Sequence, residues 1–359
     1  MRKVERIDPI TVDALRLRDA LASALAGGPA VALTLALAPI PQDLVAEEVA
    51  LLIATGGSTG KPKIVALSAN AMVESARLSN QTLGAQRGDQ WSLSLPFNHI
   101  AGINQLLRSI DIDSDPVKHG GQFISIVPTQ LYRVLKDRNE RFEELVNAKK
   151  VLIGGAGIPQ QLLDQGIAAG IRLVTSYGMT EMCGGCIYDG KALPGVEVKL
   201  TDANRIALKG PMQALGYFDD DNASRESFVD GWFITSDTGK ITTEGKLVVH
   251  GRADDVIISG GENISPSAVT ECLQQRFPDR EILVMGVPDE EWGQSLRVIM
   301  TKSAVEQDPT LAQIRDIVAD GIGKVAAPRS LLLLSEMPTQ PNGKIDRQFL
   351  LNTQPTQAL

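Results

Sequence analysis

The chain has 359 residues, of which 43% are hydrophobic, 22% charged and 4% aromatic, and its formal net charge is -8. That length exceeds what one hydrophobic core usually serves, so two domains of unequal size are expected, with the composition of a soluble globular chain and not of a disordered one. The acidic balance argues against a nucleic-acid-binding surface and leaves small molecules or proteins as partners.

Residues 21–40 carry no charge over twenty positions, the length of a membrane span. Gly27-Gly28-Pro29 interrupts them, so they read as a helix over 13–26, periodic in Leu and Ala, and a strand over 30–37. The mixed charges of Arg2, Lys3, Glu5, Arg6 and Asp8, with no clean cleavage site after them, argue against a signal peptide. No membrane partner and a cytoplasmic location are expected.

The apolar run 49–54 leads into TGGSTGKPK (55–63), which packs three glycines and three hydroxyls into seven residues and then sets two lysines around a proline. Such a stretch cannot be a regular strand or helix. Glycine lets backbone N–H groups converge, hydroxyls add donors and lysine adds charge, a set suited to nucleotide phosphates. The order departs from the P-loop, because Pro62 stands where the magnesium-binding hydroxyl belongs. A glycine-rich surface turn is the plain alternative.

A helix over 68–84 follows, with Ser68 as its N-cap. Residues 91–95 alternate as a strand into the turn Pro96-Phe-Asn-His99, from which His99 can reach a cleft or hydrogen-bond within the turn. The segment 100–110 is mostly apolar and has Arg108 as its one charge. Asp111, Asp113 and Asp115 read as a solvated loop. Strands over 122–127 and 150–153 enclose a helix over 129–147. The second strand ends in Gly154-Gly-Ala-Gly157, Pro159 opens a helix, and a strand over 171–175 ends at SYGMTE (176–181). Strand ends of this kind line the ligand crevice of open α/β sheets.

Cys183, Cys186 and Cys272 are too few for a disulfide scaffold and agree with a reducing compartment. Cys183-Gly-Gly-Cys186 has the C-x-x-C spacing, but His99, His119 and His250 offer no paired ligands, so the spacing reads as coincidence.

From Gly195 the pattern becomes short strands, over 196–200, 205–208, 232–235, 240–241 and 246–250, as in a small β-rich subdomain. GRADD (251–255) falls between apolar runs and marks a boundary. Beyond it, a helix over 265–276, strands over 281–287 and 296–302, a helix over 310–318 and a strand over 330–334 make an α+β unit of about a hundred residues. The turn-rich PTQPNGK (338–344) delivers Lys344.

Five motifs in order, TGGSTGKPK (55–63), SYGMTE (176–181), GWFITSDTGKI (231–241), GRADDVIISGGENISP (251–266) and PTQPNGKIDR (338–347), resemble the adenylate-forming superfamily of acyl-CoA synthetases, luciferases and peptide-synthetase adenylation domains. Within it LPFNHIAGINQLLRSI (95–110) and the fourth motif resemble the o-succinylbenzoate-CoA ligases of menaquinone synthesis. The resemblance implies an α/β fold: a large N-terminal domain over 1–251 of packed α/β sheets with a small β subdomain, then a mobile α+β C-terminal domain over 252–359, hinged near 252–255 at Asp254. Two departures stand out. Ile64 replaces the glycine usual after the Pro-Lys pair, and the first motif begins early, so most of the customary N-terminal subdomain is expected to be missing.

The implied reaction activates a carboxylate with ATP to an acyl-adenylate and then passes the acyl group to CoA, with Mg2+ as cofactor. The resemblance puts Ser58, Thr59, Gly60 and Lys63 on the β- and γ-phosphates, with Thr55 beside them among the nucleotide-binding residues, Thr180 on the α-phosphate and Glu181 on magnesium. Tyr177 lies against adenine beside Gly154 and Gly155, and Asp237 and Arg252 bind the ribose. Lys344 is the adenylation lysine, and Gly260 and Gly261 line the CoA channel. Each has an ordinary alternative: Asp237 and Arg252 as a surface ion pair, Glu181 as a helix-terminal carboxylate, Lys344 as a solvated lysine.

Activating the succinyl carboxylate of o-succinylbenzoate leaves an aryl carboxylate that needs a counter-charge in an apolar pocket. Arg108 is the candidate, with His99 walling the same pocket. The alternative is that Arg108 leaves its helix to pair with Asp111 or Asp113. Other aryl- or fatty-acyl-CoA ligases, carrier-protein adenylation enzymes and a non-catalytic nucleotide-binding relative are the competing readings, and the sequence leaves room for a homo-oligomer.

Overall fold

The strand Arg2–Ile7 runs parallel to Ala30–Leu33 and antiparallel to Leu44–Val45. In this computed structural model the described residues are 1–34, 39–40, 42–55, 62–253, 257–259, 262–303, 307–339 and 345–359. They fall into two units, Met1–Thr235 with Gly239–Val248, and Ser236–Thr238 with Val249–Leu359.

The first unit holds two six-stranded sheets and most of a smaller third. In the first sheet the order is Gly216–Tyr217, Ile64–Ser68, Val49–Ala54, Ala30–Leu33, Arg2–Ile7 and Leu44–Val45. The second runs Lys191–Ala192, Gly184–Tyr188, Leu173–Met179, Lys150–Gly154, Phe123–Ile126 and Trp91–Ser92, its last four strands parallel. Helices Ala14–Leu25, Ala69–Leu83 and Ile100–Asp111 pack in one layer between these sheets. Asp13 and Ser68 cap the first two by accepting backbone N–H groups, and Gly84 ends the second in the left-handed region at φ 75. Leu17, Leu21, Leu51 and Met72 are fully buried in this layer, each worth roughly 1.5–3 kcal/mol by burial. Successive residues of Lys150–Gly154 face opposite ways: Leu152 joins this core, while Val151 and Ile153 join a second with Leu131, Leu145 and Leu162 from the outer helices.

Several elements differ from their sequence-based expectation for identifiable reasons. The strand expected over 91–95 stops at Ser92, because the side-chain oxygen of Gln105 accepts the N–H groups of Ser94 at 3.2 Å and Leu95 at 3.3 Å. The helix expected over 129–147 is two, Pro128–Asp137 and Glu140–Asn147, broken where Arg138 turns left-handed at φ 47 and Asn139 caps the next helix. The strand expected over 171–175 is Leu173–Met179 and so runs through the first four residues of SYGMTE. Segments 232–235 and 240–241 are one strand, Trp232–Ile241, carried through its polar centre by pairing with Leu247–Arg252. The expected strand over 30–37 is described over Ala30–Leu33, and 35–38 lie outside the described residues.

The second unit centres on Gly293–Thr301, antiparallel to Ile282–Asp289 and parallel to Ser330–Leu334. Helices Pro266–Arg276 and Leu311–Gly321 cover one face through Val269, Leu273, Ile314 and Val318, against Val298, Met300 and Leu331. The alternate residues Ile299 and Leu332 pack on the other face with Leu350. Among the described residues no helix is long and apolar enough to cross a membrane.

Candidate active site

Thr55 and Lys63 stand at the facing ends of the hairpin strands Val49–Ala54 and Ile64–Ser68. The Thr55 N–H donates to the Lys63 carbonyl at 2.7 Å, and its hydroxyl donates to the same oxygen at 3.3 Å. The loop thus springs from a closed base. Ser58, Thr59 and Gly60 lie outside the described residues. The Lys63 ammonium sits 4.5 Å from the centre of the Tyr217 ring, within cation–π reach. The Tyr217 hydroxyl in turn donates to Glu181 Oε1 at 2.8 Å. Tyr217 is buried on the edge strand Gly216–Tyr217, opposite Val65. Burial first, and then the Glu181 carboxylate, hold its phenol above the usual range, so it remains a donor.

Thr180 and Glu181 form the short turn Thr180–Met182 directly after the strand Leu173–Met179. The turn ends at Cys183, which is left-handed at φ 50. Its carbonyl accepts the Ser75 hydroxyl and the Asn104 amide, both at 2.8 Å, so helices Ala69–Leu83 and Ile100–Asp111 of the sandwiched layer clamp the turn. Cys183 and Cys186 are both buried, and burial pushes each thiol up to about 12. They are inert packing groups, as the sequence suggests, and their glycine neighbours serve close packing: a side chain on Gly178 would run into the Gly184 carbonyl of the next strand.

Gly154 pairs with Ser176 across parallel strands, and a Cβ at 154 would fall 2.5 Å from the Ser176 carbonyl. Gly155 then turns at φ 83. The glycine turn and Tyr177 are therefore neighbours at the carboxyl end of the second sheet, where ligands of open α/β sheets bind.

His99 is the extended N-cap residue of the helix Ile100–Asp111, without a side-chain cap bond. Gly102 allows the chain to fold back there, since a Cβ would enter the Pro96 carbonyl. Arg108, farther along the same helix, is 3% exposed. Its Nη1 donates to the Ser125 hydroxyl and its Nη2 to the Tyr188 hydroxyl, each at 3.3 Å, and Nε has no hydrogen-bond partner. The alternative of a surface ion pair does not hold: Asp111 accepts from Asn80 at 2.8 Å and Asp113 from Arg87.

Asp237 and Arg252 belong to the second unit. The Thr238 hydroxyl donates to the Gly251 carbonyl at 3.2 Å, so each stands one residue from a shared contact. Asp254, Gly260, Gly261 and Lys344 lie outside the described residues. The sequence reading overlooked Tyr217 and Tyr188. Tyr217 follows a glycine in the short, mostly apolar stretch 214–218 with no local sign of chemistry, and only its pairing with Ile64–Ser68 brings it to Lys63.

The family described as AMP-binding enzyme matches residues 3–110 and 114–218, and the AMP-binding enzyme C-terminal domain matches 279–344. The Mycobacterium tuberculosis (strain CDC 1551 / Oshkosh) protein named "Probable 2-succinylbenzoate--CoA ligase" is 35% identical over 328 residues, covering 85% of this chain and 84% of its own. The 2-succinylbenzoate--CoA ligase of Listeria monocytogenes (EGD-e) is 32% identical over 330 residues, covering 84% of this chain and 69% of its own. The fold is similar to that of Bacillus subtilis o-succinylbenzoate CoA synthetase in complex with its acyl-adenylate intermediate, with a TM-score of 0.75 at 24% identity over 98% of this chain and 84% of that one.

Proposed function

Because the chain belongs to the AMP-binding enzyme family of adenylate-forming ligases, we propose that it joins o-succinylbenzoate to CoA, cleaving ATP to AMP and pyrophosphate, as a step of menaquinone synthesis. The observation that carries the reading is the continuous contact Lys63–Tyr217–Glu181. It couples the base of the 55–63 loop to SYGMTE, the two segments assigned to the phosphates. The names of the mycobacterial and listerial relatives support the acid. So does Arg108, a buried guanidinium held by neutral groups.

Phosphoryl chemistry of this kind needs positioning and charge neutralisation more than covalent help. A carboxylate oxygen of the acid attacks the α-phosphorus and pyrophosphate leaves. The CoA sulfur then attacks the acyl carbon and AMP leaves. Ser58, Thr59, Gly60 and Lys63 would hold the β- and γ-phosphates with Thr55 at the base of their loop, Thr180 the α-phosphate, Tyr177 with Gly154 and Gly155 the adenine, and Asp237 and Arg252 the ribose. Lys344 would meet the reacting carboxylate. A swing at Asp254 would exchange it for the CoA channel at Gly260 and Gly261, because one pose cannot present both. Asp254→Pro should then impair thioester formation and spare adenylation.

Among the described residues no cluster of three or more His, Cys, Asp or Glu side chains could cage a metal. A lone half-buried carboxylate such as Glu181 fits Mg2+, which keeps waters and takes phosphate oxygens. Bound there, the ion supplies charge neutralisation for the triphosphate.

The test is AMP formation with o-succinylbenzoate and CoA supplied separately and together. AMP that accumulates only when both are present supports the proposal. Faster turnover of benzoate-like monoacids or fatty acids overturns the choice of acid.

A further inference from the structure

We propose that Tyr217 is a positioning residue that sets the Lys63 ammonium and the Glu181 carboxylate at a fixed separation before a triphosphate arrives. The inference rests on the nucleotide reading above and concerns a residue outside its motifs. Lys63 meets the face of the ring and Glu181 meets the hydroxyl at its edge. These are the two favourable ends of a phenol, an electron-rich face for a cation and a donor for an anion. Opposite charges in a half-buried site otherwise neutralise each other, and that pair would have to be broken before either could serve a phosphate or a metal. With the ring between them both are ordered, and the ammonium meets aromatic carbon rather than the carboxylate.

The backbone makes Tyr217 a bridge and not a lone contact. The Ala214 N–H donates to the Glu181 carbonyl at 2.8 Å, and on the other side the Leu215 N–H donates to Ala66 at 2.9 Å and Phe218 to Ile64 at 2.7 Å. The Tyr217 N–H donates to the Ser224 hydroxyl at 2.8 Å, which locks the residue in place. Segment 214–218 is thus tied at one end to the acidic turn and at the other to the strand that carries the loop.

The test uses ATP alone, by calorimetry, with Mg2+ and with EDTA, and no acid or CoA. Tyr217→Phe keeps the ring and loses the hydroxyl. It should bind ATP in EDTA as the parent does and lose about tenfold of the affinity that Mg2+ adds, the scale seen for partners of metal ligands. Tyr217→Leu should weaken ATP binding in both conditions. In a Glu181→Gln background the Tyr217→Phe effect should vanish, whereas a packing defect would persist. An unchanged Mg2+ gain in Tyr217→Phe, or an equal loss in the Glu181→Gln background, overturns the proposal. A wrong acid assignment leaves all of these results untouched. A parent protein that binds no ATP overturns the nucleotide reading, and this inference falls with it.

Discussion

The Arg108 guanidinium lies 4.7 Å from the centre of the Trp91 ring, and the Trp91 indole N–H donates to Asn80, whose amide also bonds the Arg108 carbonyl. The cation is held by an aromatic face and two hydroxyls, all neutral. A second carboxylate on the acid substrate would supply the missing charge. Arg108→Leu should raise the apparent KM for o-succinylbenzoate about tenfold or more, the scale of a hydrogen bond to a charged group, with the KM for ATP little changed and monoacids little affected. Steady-state kinetics on both acid classes check this. A variant that treats the two classes as the parent does removes Arg108 from the pocket.

Lys344 carries the second prediction. It follows Gly343 in a turn-rich segment, and an ammonium on a long stem suits a charge that arrives late. Lys344→Ala should slow acyl-adenylate formation by about a hundredfold or more, roughly 2.7–4 kcal/mol, as for the loss of an oxyanion donor. Thioester formation from presynthesised acyl-adenylate should survive. Half-reactions followed separately decide the matter, and equal loss in both rejects the role.

Gly178 gives the third. A methyl group there would enter the Gly184 carbonyl and press on the Gly185 backbone, so the strands on either side of the Thr180–Met182 turn must part. Gly178→Ala should cost about 1–3 kcal/mol, typical of overpacking, and weaken ATP binding by displacing Tyr177 and Glu181 together. Thermal unfolding and ATP titration measure the two effects. A variant with parental affinity shows that the turn is set from elsewhere.

The cysteines give the fourth. Burial holds the Cys183 and Cys186 thiols at about 12, against about 8.5 for a free thiol. The folded state therefore favours the protonated form. The stability this contributes is complete below the unfolded value and is lost as pH climbs from there toward 12. The thermal midpoint should fall across that alkaline range, less steeply in a Cys183→Ala/Cys186→Ala variant. Native protein at neutral pH should expose Cys272 alone to a thiol reagent, with the other two reacting after denaturation. Rapid native labelling of Cys183 or Cys186 contradicts their burial.

Local signals carried much of the fold. Ser68 and Gly84 mark both ends of a helix because capping is local chemistry, and the apolar run 49–54 is a strand with those bounds. What escaped depended on distant partners. The strand at 91–95 is cut short by Gln105, a residue on the next helix. The polar middle of Trp232–Ile241 reads as a break until its pairing with Leu247–Arg252 is known. The candidate site residues each sit in a distinctive string of sequence, while Tyr217 does not. Its role needs an edge pairing to one segment and a hydrogen bond to another.

The pairing of Gly216 with Ala66 also fixes an order of events during synthesis. At roughly 5–20 residues per second, the hairpin that bears the 55–63 loop leaves the ribosome well before its edge partner exists, and the Thr180–Met182 turn emerges between them. The Ser75 bond to the Cys183 carbonyl can join the two segments earlier, but the bridge from Lys63 through Tyr217 to Glu181 cannot form until residues 214–218 arrive. Nucleotide affinity should therefore be among the last properties a nascent or refolding chain acquires, appearing after the helical layer is protected from hydrogen exchange. A chain halted before residue 214 should therefore bind ATP more weakly than the finished one.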